Sequence, residues 1–146
     1  MIIVRFKETF RERLPEWIQA TSMLLWGLLA IGAPGVFIAQ EFYWPMLEIM
    51  TQMEWGVMVA IIGVVRLIFL VINGAWRPSA HIRAVGSGMG VMLWAALLLS
   101  AINLSWLSPV VAMYTMPLGM ELFSLWFSAG DAKLADLSAK GKLKVV

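Results

Sequence analysis

The sequence predicts an all-α fold: an integral membrane four-helix bundle, built of four transmembrane helices in two hairpins behind an amphipathic amino-terminal segment. Three observations carry this expectation. The 146-residue chain is 61% hydrophobic and only 14% charged, about half the charge of a soluble domain. Four apolar runs follow one another with short links, and each approaches or exceeds the ~20 residues that a helix needs to cross the hydrocarbon core. The basic residues alternate from link to link in the pattern that sets membrane topology.

Residues 1–16 place Ile2, Ile3, Phe6, Phe10 and Leu14 near one helical face, with Arg5, Lys7, Arg11 and Arg13 elsewhere. That pattern fits an amphipathic helix on an anionic leaflet, with a docking surface for a soluble partner as the alternative. No short apolar stretch ends in a small-residue cleavage site, so the first run is read as a retained helix. It spans 17–40 and contains "IGAPG", where Pro34 is expected to kink the helix. A hinge or ligand-facing break is the other reading of Pro34. The link 41–54 is rich in Phe, Trp, Met and Ile and reads as an interfacial turn of helix. The second span, 55–73, carries Gly56, Ala60 and Gly63, a small-residue stripe along which a neighbouring helix can approach closely. The third, 86–106, opens with Gly86 and Gly90 at GxxxG spacing, a packing face within the chain or between copies. The fourth, 109–128, holds Pro117, which removes a hydrogen bond to Met113 and is expected to kink the helix. Residues 129–146 read as a polar, loosely ended tail.

Orientation follows from the cations. Arg5, Lys7, Arg11 and Arg13 precede the first span, Arg77 and Arg83 lie between the second and third, and Lys133, Lys140, Lys142 and Lys144 follow the fourth. The other two links contain no Lys or Arg. Both termini are therefore expected to be cytoplasmic, in a bacterial inner membrane. Trp17, Trp76 and Trp126 fall at the expected cytoplasmic ends and Trp44, Trp55 and Trp106 at the outer ends, as an aromatic belt would. Trp26 and Trp94 lie deeper, between helices or against lipid.

Two charges interrupt the spans. Arg66 lies about 16 Å below Trp55, and Glu121 about 18 Å below Pro109, at 1.5 Å per residue. Opposite sign and matching depth predict a buried pair between spans two and four. The Met113 carbonyl freed by Pro117 is a candidate second acceptor for the guanidinium. Three roles are open for the pair: a structural lock, a charged element of a proton or ion path, or a contact to a partner subunit.

Other chemistry is excluded or thin. Cysteine is absent and His81 is the single histidine, so neither a disulfide framework nor a Cys or His metal cluster is expected. No acid–base pair or nucleophile elbow occurs, and the glycine-rich run lacks the preceding strand and the lysine of a phosphate loop. The chain reads as non-enzymatic, without cofactor, and its net charge of +2 gives no reason to expect nucleic acid.

The second half adds a resemblance. "HIRAVGSGMGVMLWAALLLS" and "MYTMPLGMELFSLWFSAGDAKL" resemble small multi-span inner-membrane proteins encoded by tailed bacteriophages and prophages. The shared features are Arg83-x-x-Gly86, the in-span Trp94, and a last span carrying Glu121 before a polar tail. The resemblance implies a phage-encoded membrane protein, a group that includes holins, exclusion proteins and accessory proteins. Four spans and a buried charge pair depart from the simplest holins. The functions considered are a self-associating, holin-like protein, an accessory or scaffold subunit of a larger membrane complex, and a small channel or carrier using Arg66 and Glu121. The partners expected are the lipid bilayer and either further copies of the chain, as a homo-oligomer, or a larger membrane complex.

Overall fold

The structure is a computed structural model that describes residue 10 and residues 13–75 and 80–140, with the backbone alone at 73–75. Ile2, Ile3, Phe6, Trp76, Arg77, Lys142 and Lys144 lie outside the described residues, and with them most of the expected amphipathic segment.

Everything ordered among the described residues is helical. Helix α1 (Leu14–Gly32) starts with Pro15 and Glu16 in its first turn, where a missing N–H costs nothing and a negative charge meets the positive end of the helix dipole. A four-residue helix α2 (Val36–Ala39), a 3-10 turn (Glu41–Tyr43) and a second four-residue helix α3 (Trp44–Leu47) follow. Three long helices complete the chain: α4 (Gln52–Ala75), α5 (Ala80–Leu104) and α6 (Pro109–Ala139). The Ser108 hydroxyl caps α6 by accepting from the Val110 N–H at 3.3 Å, and Pro109 occupies the first turn.

Three of these helices are long and apolar enough to cross a membrane: Gln52–Ile72, Ala80–Leu104 and Pro109–Ala139. Helix α1 falls outside that set, because its first turns hold Pro15, Glu16 and Gln19. Its 19 residues are about 28 Å long at 1.5 Å per residue.

Several boundaries differ from the sequence pattern. The first apolar run does not continue as one kinked helix to residue 40; it stops at Gly32, and Gly35 adopts φ 86°, a left-handed conformation that glycine accepts without strain. Helix α5 begins at Ala80 instead of residue 86, and α6 continues through Pro117 to Ala139. The first eleven residues assigned to a loose tail, 129–139, are thus helix.

Helix α1 packs chiefly on α4, and α5 on α6. Glycine sets the first contact. A Cβ built on Gly27 would stand 2.5 Å from the Ala60 backbone nitrogen, and one on Gly63 2.6 Å from the Leu24 nitrogen. With Gly56 against Gly27 and Ile31, the stripe on α4 lets two backbones touch, which is how packing is gained where apolarity gives no preference for helix over lipid.

The segment between α1 and α4 folds inward over the end of the bundle. Phe37, Tyr43 and Met46 are buried there. Phe37 and Tyr43 stack at 4.2 Å, Trp26 lies 5.7 Å from Phe37, and Tyr43 meets the Tyr114 hydroxyl at 3.3 Å. Trp55 belongs to this core, not to an aromatic belt: it is buried, and its indole N–H donates to the Met46 carbonyl at 2.9 Å. Trp94 is buried in the same cluster, and Trp26 packs against it.

Candidate functional site

Below that aromatic layer the interior turns polar. Arg66, on α4, and Glu121, on α6, are 7% and 0% exposed. The guanidinium engages both carboxylate oxygens: Nη2 donates to Oε2 at 3.0 Å, and Nη1 donates to Oε1. Two parallel charge-assisted bonds fix direction as well as distance. Nη1 also points at the Met23 sulfur, 3.0 Å away on α1. Met23, and not the Met113 carbonyl, is therefore the additional neighbour of Arg66. The carbonyl of Pro117 itself is taken by the Gln19 amide, at 2.9 Å.

The glycines of α5 make the pair possible. A Cβ on Gly90 would stand 2.7 Å from Arg66 Nη1 and would collide with the Glu121 carboxylate. On Gly86 it would lie 3.4 Å from Arg66 Cγ. The Gly86–Gly90 face is filled from within the chain by the ion pair, so it does not serve as a contact between copies. Ser87, on the same face, is buried and lies near the Glu121 carboxylate.

A second charge cluster was not apparent in the sequence. Arg83, near the start of α5, grips Glu16 of α1 through Nε at 3.0 and 3.1 Å and through Nη2 at 2.5 Å. Its Nη1 donates to Asp131 of α6 at 3.1 Å. Glu16 and Arg83 are largely sequestered, and Asp131 is half exposed. One turn further out, His81 meets Asp136 at 3.0 Å, both exposed. Depth matching of opposite charges would have found Glu16, Arg83 and Asp131, had Arg83 and Asp131 not been assigned to a link and a tail.

Between the clusters, α6 turns Ser124 and Ser128 inward. The Ser128 hydroxyl donates to the Ser124 carbonyl at 2.8 Å and so spends its proton within its own helix. The outward face of α6 is Met113, Met116, Phe123 and Trp126. Among the described residues no three His, Cys, Asp or Glu side chains converge as metal ligands.

Two clefts flank the Glu16–Arg83 pair. One, of about 220 Å³, opens between α4 and α5 and is walled mainly by Ile61, Val65, Phe69, Ile82 and Met89, with Arg66 at its floor. The other, of about 300 Å³, lies between α1 and α6 and mixes Arg13, Glu16, Arg83 and Asp131 with Phe123 and Phe127.

Membrane-length apolar helices around sequestered charges indicate a class: an all-helical, multi-pass membrane protein. No protein-family model, curated protein or solved structure matches the chain.

Proposed function

We propose that this chain is a non-enzymatic, four-span protein of a bacterial inner membrane, both termini cytoplasmic, that works as an accessory or scaffold subunit of a larger membrane complex. In this reading α1 is the fourth span. Pairing with α4, α5 and α6 covers its polar first turns, since Glu16 and Gln19 find their partners inside the bundle. The observation that carries the reading is the enclosure of Arg66 and Glu121. Met23, Ser87 and Gly90 surround the pair, and it joins α4 to α6 across α5. A charge pair held through both carboxylate oxygens and almost wholly out of solvent locks helices in register. The aromatic layer above it closes the outer side.

Self-association of the holin-like kind is the second reading, and it accords with the resemblance to phage-encoded membrane proteins. In its favour, only 11% of the apolar window of α6 is buried within the chain, which leaves Met113, Met116, Phe123 and Trp126 free to meet another helix. Against it stands the chemistry of that face. A water-filled lesion must be lined by polar groups, and between Met116 and Ser128 the carboxyl and hydroxyl side chains of α6, Glu121, Ser124 and Ser128, all point inward.

Particle mass in mild detergent, from cells expressing the chain at a low level, separates the two. The accessory reading expects a fixed-ratio complex with another polypeptide that Trp126→Ala and Met116→Ala dissolve while the chain stays folded. A homo-oligomer whose size grows with expression, with loss of membrane potential on induction, refutes it. Reporter fusions after Lys140 and at Glu48 should report opposite compartments; equal signals refute the four-span arrangement.

A further inference from the structure

We propose that the cleft between α4 and α5 is a binding site for one lipid-soluble quinone, with a ring carbonyl on Arg66 and the isoprenoid tail in the bilayer. The proposal rests on the membrane reading, with α4 and α5 as spans. Its first ground is an unspent edge of the guanidinium. Arginine carries five N–H donors in a planar fork. Nη1 and Nη2 hold the two oxygens of Glu121, and the other donor of Nη1 faces the Met23 sulfur. Nε–H and the other donor of Nη2 share the remaining edge, and no hydrogen bond engages them among the described residues. Arg66 forms the floor of the cleft. Its Nε lies beside Gly86, where a Cβ would stand 3.5 Å away, so the glycine keeps space open next to that edge. Donors in an apolar cleft gain from any acceptor that reaches them.

The second ground is the kind of acceptor that fits. The charge of Arg66 is already matched by Glu121, so a further carboxylate or phosphate at this spot would be an uncompensated buried charge. An uncharged carbonyl oxygen carries no such penalty. Depth narrows the choice. Within Gln52–Ile72, Arg66 lies about 9 Å from the nearer end at 1.5 Å per residue. The ester carbonyls of bilayer lipids lie at the headgroup boundary, whereas a quinone carries its carbonyls on an uncharged ring that enters the hydrocarbon. The walls suit such a ring. Phe69 and Met89 stand one turn from Arg66 and Gly86 on their own helices and line the cleft, and both aromatic and thioether side chains pack well on rings. The volume of about 220 Å³ is below the ~300–1,000 Å³ of sites for drug-sized ligands. It takes one ring and the start of a tail. Ile61, Val65 and Met89 are exposed at its rim, so the rest of the tail can pass out into lipid.

The test is native mass spectrometry of the full chain in mild detergent with three probes of equal tail length: decylubiquinone, decylbenzene and decanoate. The expected result is one decylubiquinone per chain, retained about tenfold more strongly than decylbenzene, which has no acceptor; tenfold is the worth of one hydrogen bond to a charged donor. Decanoate should do no better than decylbenzene. Gly86→Ala puts a methyl group beside Nε and should bring decylubiquinone down to the level of decylbenzene. Val65→Phe, at an exposed position on the wall, should fill the cleft and exclude both, and an SDS titration reports whether each variant keeps its fold. Equal retention of decylubiquinone and decylbenzene, stronger retention of decanoate, a co-purified phospholipid that decylubiquinone does not displace, or a quinone preference that survives Val65→Phe each overturns the proposal. Carbonate extraction of membranes reports separately on the spans: release of the chain into the soluble fraction overturns the membrane reading itself.

Discussion

Replacing either member of the Arg66–Glu121 pair strands the other. Glu121 is wholly buried and Arg66 is 7% exposed, so neither Arg66→Leu nor Glu121→Leu lets the remaining charge reach water without parting helices. Removing one partner of a buried pair costs about 3–5 kcal/mol, most of it from the uncompensated charge left behind. The double substitution, Arg66→Leu with Glu121→Leu, carries no stranded charge. Leucine is also shorter than arginine, so Gly86 and Gly90 raise no obstacle to it. The double variant should therefore recover much of the loss, and the coupling from the full cycle should reach about 3 kcal/mol. That is well above the ~1.7 kcal/mol maximum measured for single interhelical hydrogen bonds in a membrane protein, a difference large enough to separate a charge lock from an ordinary polar contact. The assay is an SDS titration of the four proteins in mild detergent, followed by tryptophan fluorescence. Single losses that add to the double loss within about 0.5 kcal/mol would show that the two side chains act independently and would refute the lock.

Glycine substitutions should divide by location: Gly27→Ala drives a Cβ into the Ala60 backbone and should cost about 2 kcal/mol, whereas Gly88→Ala meets nothing within 4 Å and should gain about 0.5–1 kcal/mol. The same SDS titration reads both, and equal effects would contradict the packing described. Arg83→Gln leaves Glu16 buried without its cation and should cost about 3 kcal/mol; Asp131→Asn, half exposed, should cost under about 1 kcal/mol, and a reversed order would place the weight of the cluster elsewhere. Gln52→Glu removes an amide that donates to the Ala30 and Ala33 carbonyls at 2.7 and 2.8 Å. A loss of about 2 kcal/mol is expected, together with faster proteolysis between residues 33 and 51; unchanged cleavage would show that the amide is dispensable.

What the sequence reveals here depends on whether a residue's role is local. Arg66 and Glu121 stand out because each is a lone charge in an apolar run, and counting residues from the span ends brings them to one depth; in the structure their side chains meet. Gly56, Ala60 and Gly63 are legible by spacing, and their partner Gly27 is not, because one glycine in a leucine-rich run carries no pattern. Arg83 and Asp131 were hidden by the rule that polar residues mark helix ends. Here charges from three helices satisfy one another, so α5 starts six residues earlier and α6 runs through Ala139. Trp55 misleads for a related reason. Its position suits a membrane surface, but the inward-folded segment supplies the Met46 carbonyl that its indole needs.

That inward fold also constrains the order in which the chain can be made. The break after α1 is mended by a single side chain from α4: besides its two donated bonds, Gln52 accepts from the Phe37 N–H at 3.0 Å. Gln52 leaves the ribosome 19 residues after Ala33, about 1–4 s later at ~5–20 residues per second. Until then the Ala30 carbonyl and the Phe37 N–H lack the partner that Gln52 supplies, and a lipid interior offers them none. The nascent α1 must keep this end in water or at the headgroups during that interval. On the four-span reading proposed above, residues 14–75 enter the bilayer as a hairpin, with the second arm completing the first.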